Sequence, residues 1–202
     1  MKLRSVFLFV CAFVLSTTLF SQNSLSEKDK AHAVKYLNET ETELVKAVSG
    51  LNDEQLNFKP SEESWSIANC VEHLALSENN LMAAIKKSME EKASAETIKE
   101  LQMSDGDLLT IITDRSNKVK TSKPFEPSDS FGSYSETLKA FKDRRKNSIK
   151  FVKSDNVNLR NYVLNFPFGK IDAYQAILFM SGHTNRHVQQ IEEIKADQNF
   201  PK

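Results

Sequence analysis

The chain has 202 residues, 27% of them charged and 40% apolar, with 27 basic side chains against 27 acidic ones. That length suits one domain, and the balance excludes both a highly charged disordered chain and a nucleic-acid binder with a basic surplus. Only 5 glycines and 5 prolines leave too few turn residues for a many-stranded sandwich or barrel, so helices should dominate with little or no sheet.

Lys2 and Arg4, the uncharged run Val6 to Leu15 and the polar Ser16 to Gln22 follow the order of a secretory signal peptide, with cleavage expected after Ser21. The apolar run is short against the ~20 residues of a membrane span, so no membrane attachment is expected once the leader is removed. Residues 1–21 are read as leader and 22–202 as one mature domain, secreted or periplasmic. Loss of Lys2 and Arg4 leaves 25 basic against 27 acidic groups, a formal charge of −2. Cys11 departs with the leader, and Cys70 as the remaining thiol allows no intrachain disulfide.

Val34, Leu37, Leu44, Val45 and Val48 fall at helical spacing in a first helix from Glu27 to Ser49, stopped by Gly50. Asn52 or Asp53 can cap a single turn in the connector that follows. Ser64-Trp65-Ser66 opens a second long helix carrying Ile67, Val71, Leu74, Leu81 and Ile85 and ending near Glu91. Two shorter patterns follow, Ile98 with Leu101 and then Leu108, Ile111, Ile112 and Val119, parted by Ser104-Asp105-Gly106. Lys123 to Ser133 reads as a loop. A third long helix resumes at Ser135, with Leu138, Phe141, Ile149 and Val152 apolar and Asp143, Arg144, Lys146 and Lys150 wet, and stops at Ser154-Asp155-Asn156. Phe166-Pro167-Phe168-Gly169 is a tight turn before the last helix, from about Ile171 to Ala196. The economical fold is all-α: a four-helix bundle with one or two short extra helices.

The last helix carries Ile177, Met180, His183, His187, Ile191 and Ile194 on one stripe, so two histidines lie on the core face one turn apart. His73 sits on the second long helix beside Val71 and Leu74, and three imidazoles can converge in such an interior. Each is either a core histidine satisfied by a carbonyl or carboxylate, or a ligand for zinc, nickel, copper or iron, and spacing alone does not decide. His183-Thr184-Asn185-Arg186-His187 lacks the glutamate of the HExxH zinc-peptidase motif, which disfavours such a peptidase. His32, between Lys30 and Lys35, is read as solvated.

At these residues the chain resembles the DinB-like superfamily of metal-binding four-helix bundles. Leu56-Asn57-Phe58-Lys59-Pro60, Ser64-Trp65-Ser66-Ile67-Ala68 and Val71-Glu72-His73-Leu74 are similar to its first signature. Phe168 to Tyr174 and His183 to Ile191 are similar to its closing one, and Phe141 to Arg145 to a less specific middle segment. The resemblance covers about residues 30 to 196 and implies a metal site of His73, His183 and His187. It implies a divalent ion, zinc or nickel, and an activity among thiol transferases, a thiol-dependent isomerase and metal-dependent hydrolases. Its thiol-dependent members work where small thiols stay reduced, so export weighs against a thiol cosubstrate.

Three neutral ligands leave an open position on a divalent ion, the arrangement that brings a bound water's pKa to about 7 in zinc hydrolases. The expected partner is a small-molecule substrate, the candidate assembly a homodimer, and no nucleic acid is expected. The competing reading is a noncatalytic protein in which the metal clips two helices together, favoured if Cys70 supplies a fourth ligand. Glu72 and Gln190 are candidates beside the ligands, with Glu72 more simply a solvated carboxylate. Arg186 is read as a surface ion-pair partner of Glu192 or Glu193, Trp65 as packing at the bundle end, and Cys70 as a small apolar residue.

Overall fold

Each long helix begins where the sequence offers an oxygen to the orphan N–H groups of a first turn. In a computed structural model, which describes residues 24–116, 119–154 and 156–202, Ser26 caps α1 (Glu27–Val48) by accepting from Asp29 N–H. The predicted leader, with Cys11, and Asp155 of the predicted stop lie outside the described residues. Asn52 closes a capping box with Gln55 on the short α2 (Asp53–Asn57), and Ser66 does so with Asn69 on α3 (Ile67–Ser88). Two short helices, α4 (Ala95–Lys99) and α5 (Asp105–Thr113), lead to a loop, then α6 (Tyr134–Ser154), and Asp172 with Gln175 caps α7 (Ala173–Lys195).

The described residues thus hold four long α-helices and three short ones, one more short helix than the upper expectation. Two further differences are local. The second short pattern stops at Thr113, so Val119 belongs to no helix and is exposed. The chain before α7 is not a bare turn. Strands β1 (Val163–Phe166) and β2 (Gly169–Asp172) form an antiparallel hairpin around Pro167 and Phe168, closed by Gly169 at φ +131°. The cross-strand pair Leu164 and Ile171 is buried, and α7 therefore starts two residues later than expected.

Both α1 and α3 pack against α6 and α7. The four helices therefore form a ring in which α1 and α3 occupy one diagonal and α6 and α7 the other. Of the long helices consecutive in the chain, α3 and α6 sit side by side, whereas α1 and α3, and α6 and α7, do not, so the connectors of those two pairs, the α2 segment and the hairpin, must cross the bundle ends. Arg160 ties one end, pairing with Asp29, Asp105 and Asp172 and lying 4.2 Å over the Tyr174 ring. Helix α5 lies on α7, where Gly182 permits close approach: a Cβ there would collide with the Ile112 side chain. None of the described helices is long and apolar enough to cross a membrane.

The apolar core is split in two. Leu37, Leu81, Val152 and Met180 belong to one cluster, and Leu44, Leu74, Phe141 and Ile191 to the other. A polar layer lies between their positions on the four helices. Arg145 on α6 is 0% exposed and pairs with Glu78 on α3, itself 3% exposed. Its Nε donates to Glu78 Oε1 at 2.8 Å, and Nη2 donates to the same oxygen and to Thr184 Oγ1 at 2.7 Å. Nη1 donates to Leu37 O and Thr40 Oγ1, both at 2.8 Å. All five guanidinium donors are used. Ser148 Oγ donates to Glu78 Oε2 at 3.0 Å, which completes the carboxylate. Arg144, expected on the wet face, is half-buried, donating to Ala75 O at 2.6 Å and lying over Phe131.

Removing one partner of such a pair strands the other in the core, whereas replacing both by apolar groups does not. Arg145→Ala should destabilise the protein by about 3–5 kcal/mol in urea unfolding, and the Arg145→Met, Glu78→Leu double variant by clearly less. Equal losses would show that the desolvated charge is not what Arg145 offsets.

Candidate metal centre

His183 and His187 lie one turn apart on α7 and so share a face. His73 on α3 meets them from across the helix pair, its position fixed because α3 packs directly on α7. His73 and His187 are buried and His183 is half-buried. Candidate ligand atoms of all three lie within 4.8 Å of one another, and these three residues alone make up the group of potential donors among the described residues. His183 Nε2 is 3.1 Å from His73 Nε2 and 3.1 Å from His187 Nε2. Donors about 2.0–2.1 Å from one ion and about 90–110° apart lie roughly 2.8–3.4 Å from each other, so the spacing fits a shared ion.

Proton accounting sharpens the point. His73 Nδ1 lies 2.7 Å from the Phe125 carbonyl, which can only accept, so that nitrogen carries the hydrogen. His187 Nδ1 lies 3.0 Å from Gln190 Oε1, an oxygen that also faces the Arg115 guanidinium at 3.5 Å and therefore accepts. Neutral His73 and His187 thus each direct a bare Nε2 lone pair at His183. His183 Nε2 can donate one hydrogen at most and cannot satisfy both. A cation at the centre satisfies all three, whereas hydrogen bonds among the rings leave at least one buried acceptor without a donor.

Burial lowers the pKa of His73, although the Phe125 hydrogen bond opposes the shift. Burial, reinforced by the neighbouring imidazoles and by arginines, holds His183 and His187 well below the ordinary 6.5. The rings therefore stay in the neutral form that binds metals.

Aromatic side chains wall the cluster. The Trp65 ring lies 4.8 Å from His73 and 5.9 Å from His187, and Phe179 stacks on His183 at 5.7 Å. Phe166 and Phe168 of the hairpin extend that wall behind Phe179. Trp65 thus faces the histidines and does more than pack a bundle end. Phe125 and Phe179 carry no signal in the sequence that would single them out.

Gln190 is placed beside His187 as expected. Glu72 is not solvated: it is 5% exposed and accepts from the backbone N–H groups of Ser128, Asp129 and Ser130. Arg186 is buried rather than on the surface and donates to the Asp114 carbonyl, while Arg115 pairs with Glu193 at 2.6 Å. Cys70 is buried in an apolar cluster outside the histidine group, and burial pushes its thiol up to about 12. His32 is exposed, its Nδ1 3.1 Å from Tyr174 OH.

Known proteins resemble this chain to different depths. The family model described as the DinB superfamily matches residues 36–191. The uncharacterized protein YuaE of Bacillus subtilis (strain 168) is 31% identical over 159 residues, covering 78% of this chain and 94% of its own. Among solved structures the chain is similar to YfiT from Bacillus subtilis, with a TM-score of 0.56 and 19% identity over 85% of this chain and 89% of that one. YfiT is described as a probable metal-dependent hydrolase with an unusual four-helix bundle topology. The chain belongs to the DinB superfamily.

The lowered histidine pKa values set the sign of a pH dependence. Below about 6.5 the unfolded chain binds protons that the folded one refuses, so stability must fall as pH falls through that range. Urea midpoints of metal-free protein between about pH 7.5 and 5.5 should drop in acid, and drop less when His183 and His187 are both replaced by Gln. Midpoints that hold or rise in acid would contradict a neutral cluster.

Proposed function

We propose that the chain is an exported metal-dependent enzyme of hydrolase type, acting on a small molecule at a site in which His73, His183 and His187 hold one divalent ion, zinc or nickel. The observation that carries the reading is the convergence of three Nε2 atoms whose lone pairs no hydrogen bond can all satisfy. A divalent ion held by three neutral ligands would keep its full charge and an open position, and so act as a Lewis acid on a water or thiol placed there. Support for an open position is that no fourth donor joins the group among the described residues and that Cys70 lies elsewhere.

The chain's own residues fix the ligands and dry the site. Phe125 O and Gln190 Oε1 hold the Nδ1 hydrogens of His73 and His187, which fixes the tautomers and turns both Nε2 atoms inward. Trp65, Phe125 and Phe179 limit water around the rings and offer flat apolar surface to a substrate. Hydrolysis is favoured over thiol transfer because the leader, residues 1–21, implies a compartment where small thiols are not kept reduced. The description of YfiT points the same way. Residues 22–202 form the mature domain in this reading.

Protein purified from the exported fraction, its mass placing the first residue at Gln22, should contain one divalent ion per chain. Alanine at His73, His183 or His187 should each weaken binding by more than the roughly 10–100-fold typical of losing an outer-shell partner, while His32→Ala leaves it unchanged. Retention of one ion with unaltered affinity in all three single variants would overturn the site.

A further inference from the structure

Among the described residues, the loop between α5 and α6 hydrogen-bonds the histidines through the Phe125 carbonyl oxygen. What holds that atom in place lies one residue before the ligand. Glu72 is buried, and among the described residues no cation pairs with it: both its oxygens are spent on three consecutive backbone N–H groups. Oε1 accepts from Ser128 at 3.1 Å and Ser130 at 2.7 Å, and Oε2 from Asp129 at 3.2 Å. The loop supplies those hydrogens by curling around the carboxylate, with Asp129 in the left-handed region at φ 57°. That is the geometry of an anion-binding nest, here filled by a side chain of the same protein.

The structure assigns Glu72 as the positioning residue of the candidate metal centre: by anchoring the 128–130 nest it holds the Phe125 carbonyl on His73 Nδ1, which sets the His73 tautomer and leaves Nε2 free for the ion. The assignment rests on the proposed metal site. Residues 72 and 73 point about 100° apart on α3, which lets one grip the far part of the loop while the other meets the near part. Asn80 gives the loop a further hold, donating to Pro124 O at 2.9 Å. That bond is neutral and exposed, whereas the three to Glu72 are charge-assisted and part-buried, roughly twice as strong each. Without Glu72 the Asp129 turn loses its filling anion, and the Phe125 carbonyl loses the constraint on one side. His73 is then free to carry its hydrogen on Nε2, which blocks the ligand position.

The test uses the full mature chain and reads two quantities: the His73 tautomer in metal-free protein, from the ring nitrogen shifts in two-bond nitrogen–proton correlation spectra, and the zinc Kd by chelator competition. Wild type should show a single Nδ1–H tautomer. Glu72→Ala should give a tautomer mixture and raise the Kd by about 10–100-fold. Glu72→Gln keeps the side-chain volume and one accepting oxygen, and should fall between the two; it decides the matter if the alanine variant does not fold. A folded Glu72 variant with an unchanged tautomer and unchanged Kd would overturn the assignment and leave Glu72 a loop anchor only. A wild type that binds no zinc, but whose His73 tautomer still shifts on Glu72→Ala, would sink the metal reading while upholding the positioning role.

Discussion

The guanidinium of Arg145 is the constraint on which the bundle depends. It sits where four helices meet and spends its five donors on α1, α3 and α7: the carbonyl of Leu37, the hydroxyls of Thr40 and Thr184, and the Glu78 carboxylate. A buried ion pair adds little net stability over an apolar substitute, so its consequence is register. Sliding α6 by one turn would move the guanidinium about 5.4 Å and break every one of these bonds together, leaving a charge in the core. Apolar contacts alone do not discriminate so sharply between neighbouring registers. Because Glu78 lies on the same helix as His73, and Thr184 is next to His183, a layer that fixes α3 and α7 relative to each other also fixes the facing histidines.

Long connectors carry to the site groups that the helices cannot supply, both the one joining the neighbours α3 and α6 and the one spanning the α6–α7 diagonal. The segment after α5 brings Phe125 to His73, and the hairpin before α7 brings Phe166 and Phe168 up behind Phe179. The three histidines themselves stand on helices, so helices and connectors each make part of the candidate site, with Glu72 on α3 joining them.

Much of this was legible in the sequence. The long helices follow from apolar stripes of period 3.6, which also put His183 and His187 on one core face and allow His73 to meet them, while the resemblance to the family singled out the three as a set. The polar layer was visible and easily passed over: Thr40, Glu78, Arg145 and Thr184 each interrupt an apolar stripe near the middle of its helix, yet a stripe of mostly apolar residues is normally scored by its majority. The hairpin was hidden because strands of 4 residues are too short for alternation to declare itself. Glu72 and Arg186 looked like surface residues since a charge in a sequence carries no record of the backbone groups it will meet. Both meet main-chain atoms of distant loops, and no residue type announces those.

The functional account stands or falls on what occupies the space between the three imidazoles. X-ray absorption at the metal edge, on protein purified from the exported fraction, tests this most directly. The account predicts one ion per chain with three nitrogen neighbours at about 2.0–2.1 Å, imidazole scattering in the outer shells, and at least one further light-atom neighbour contributed by solvent. A metal-free protein that takes up no zinc or nickel, or an ion bound through sulfur in a closed four-ligand site, would contradict it.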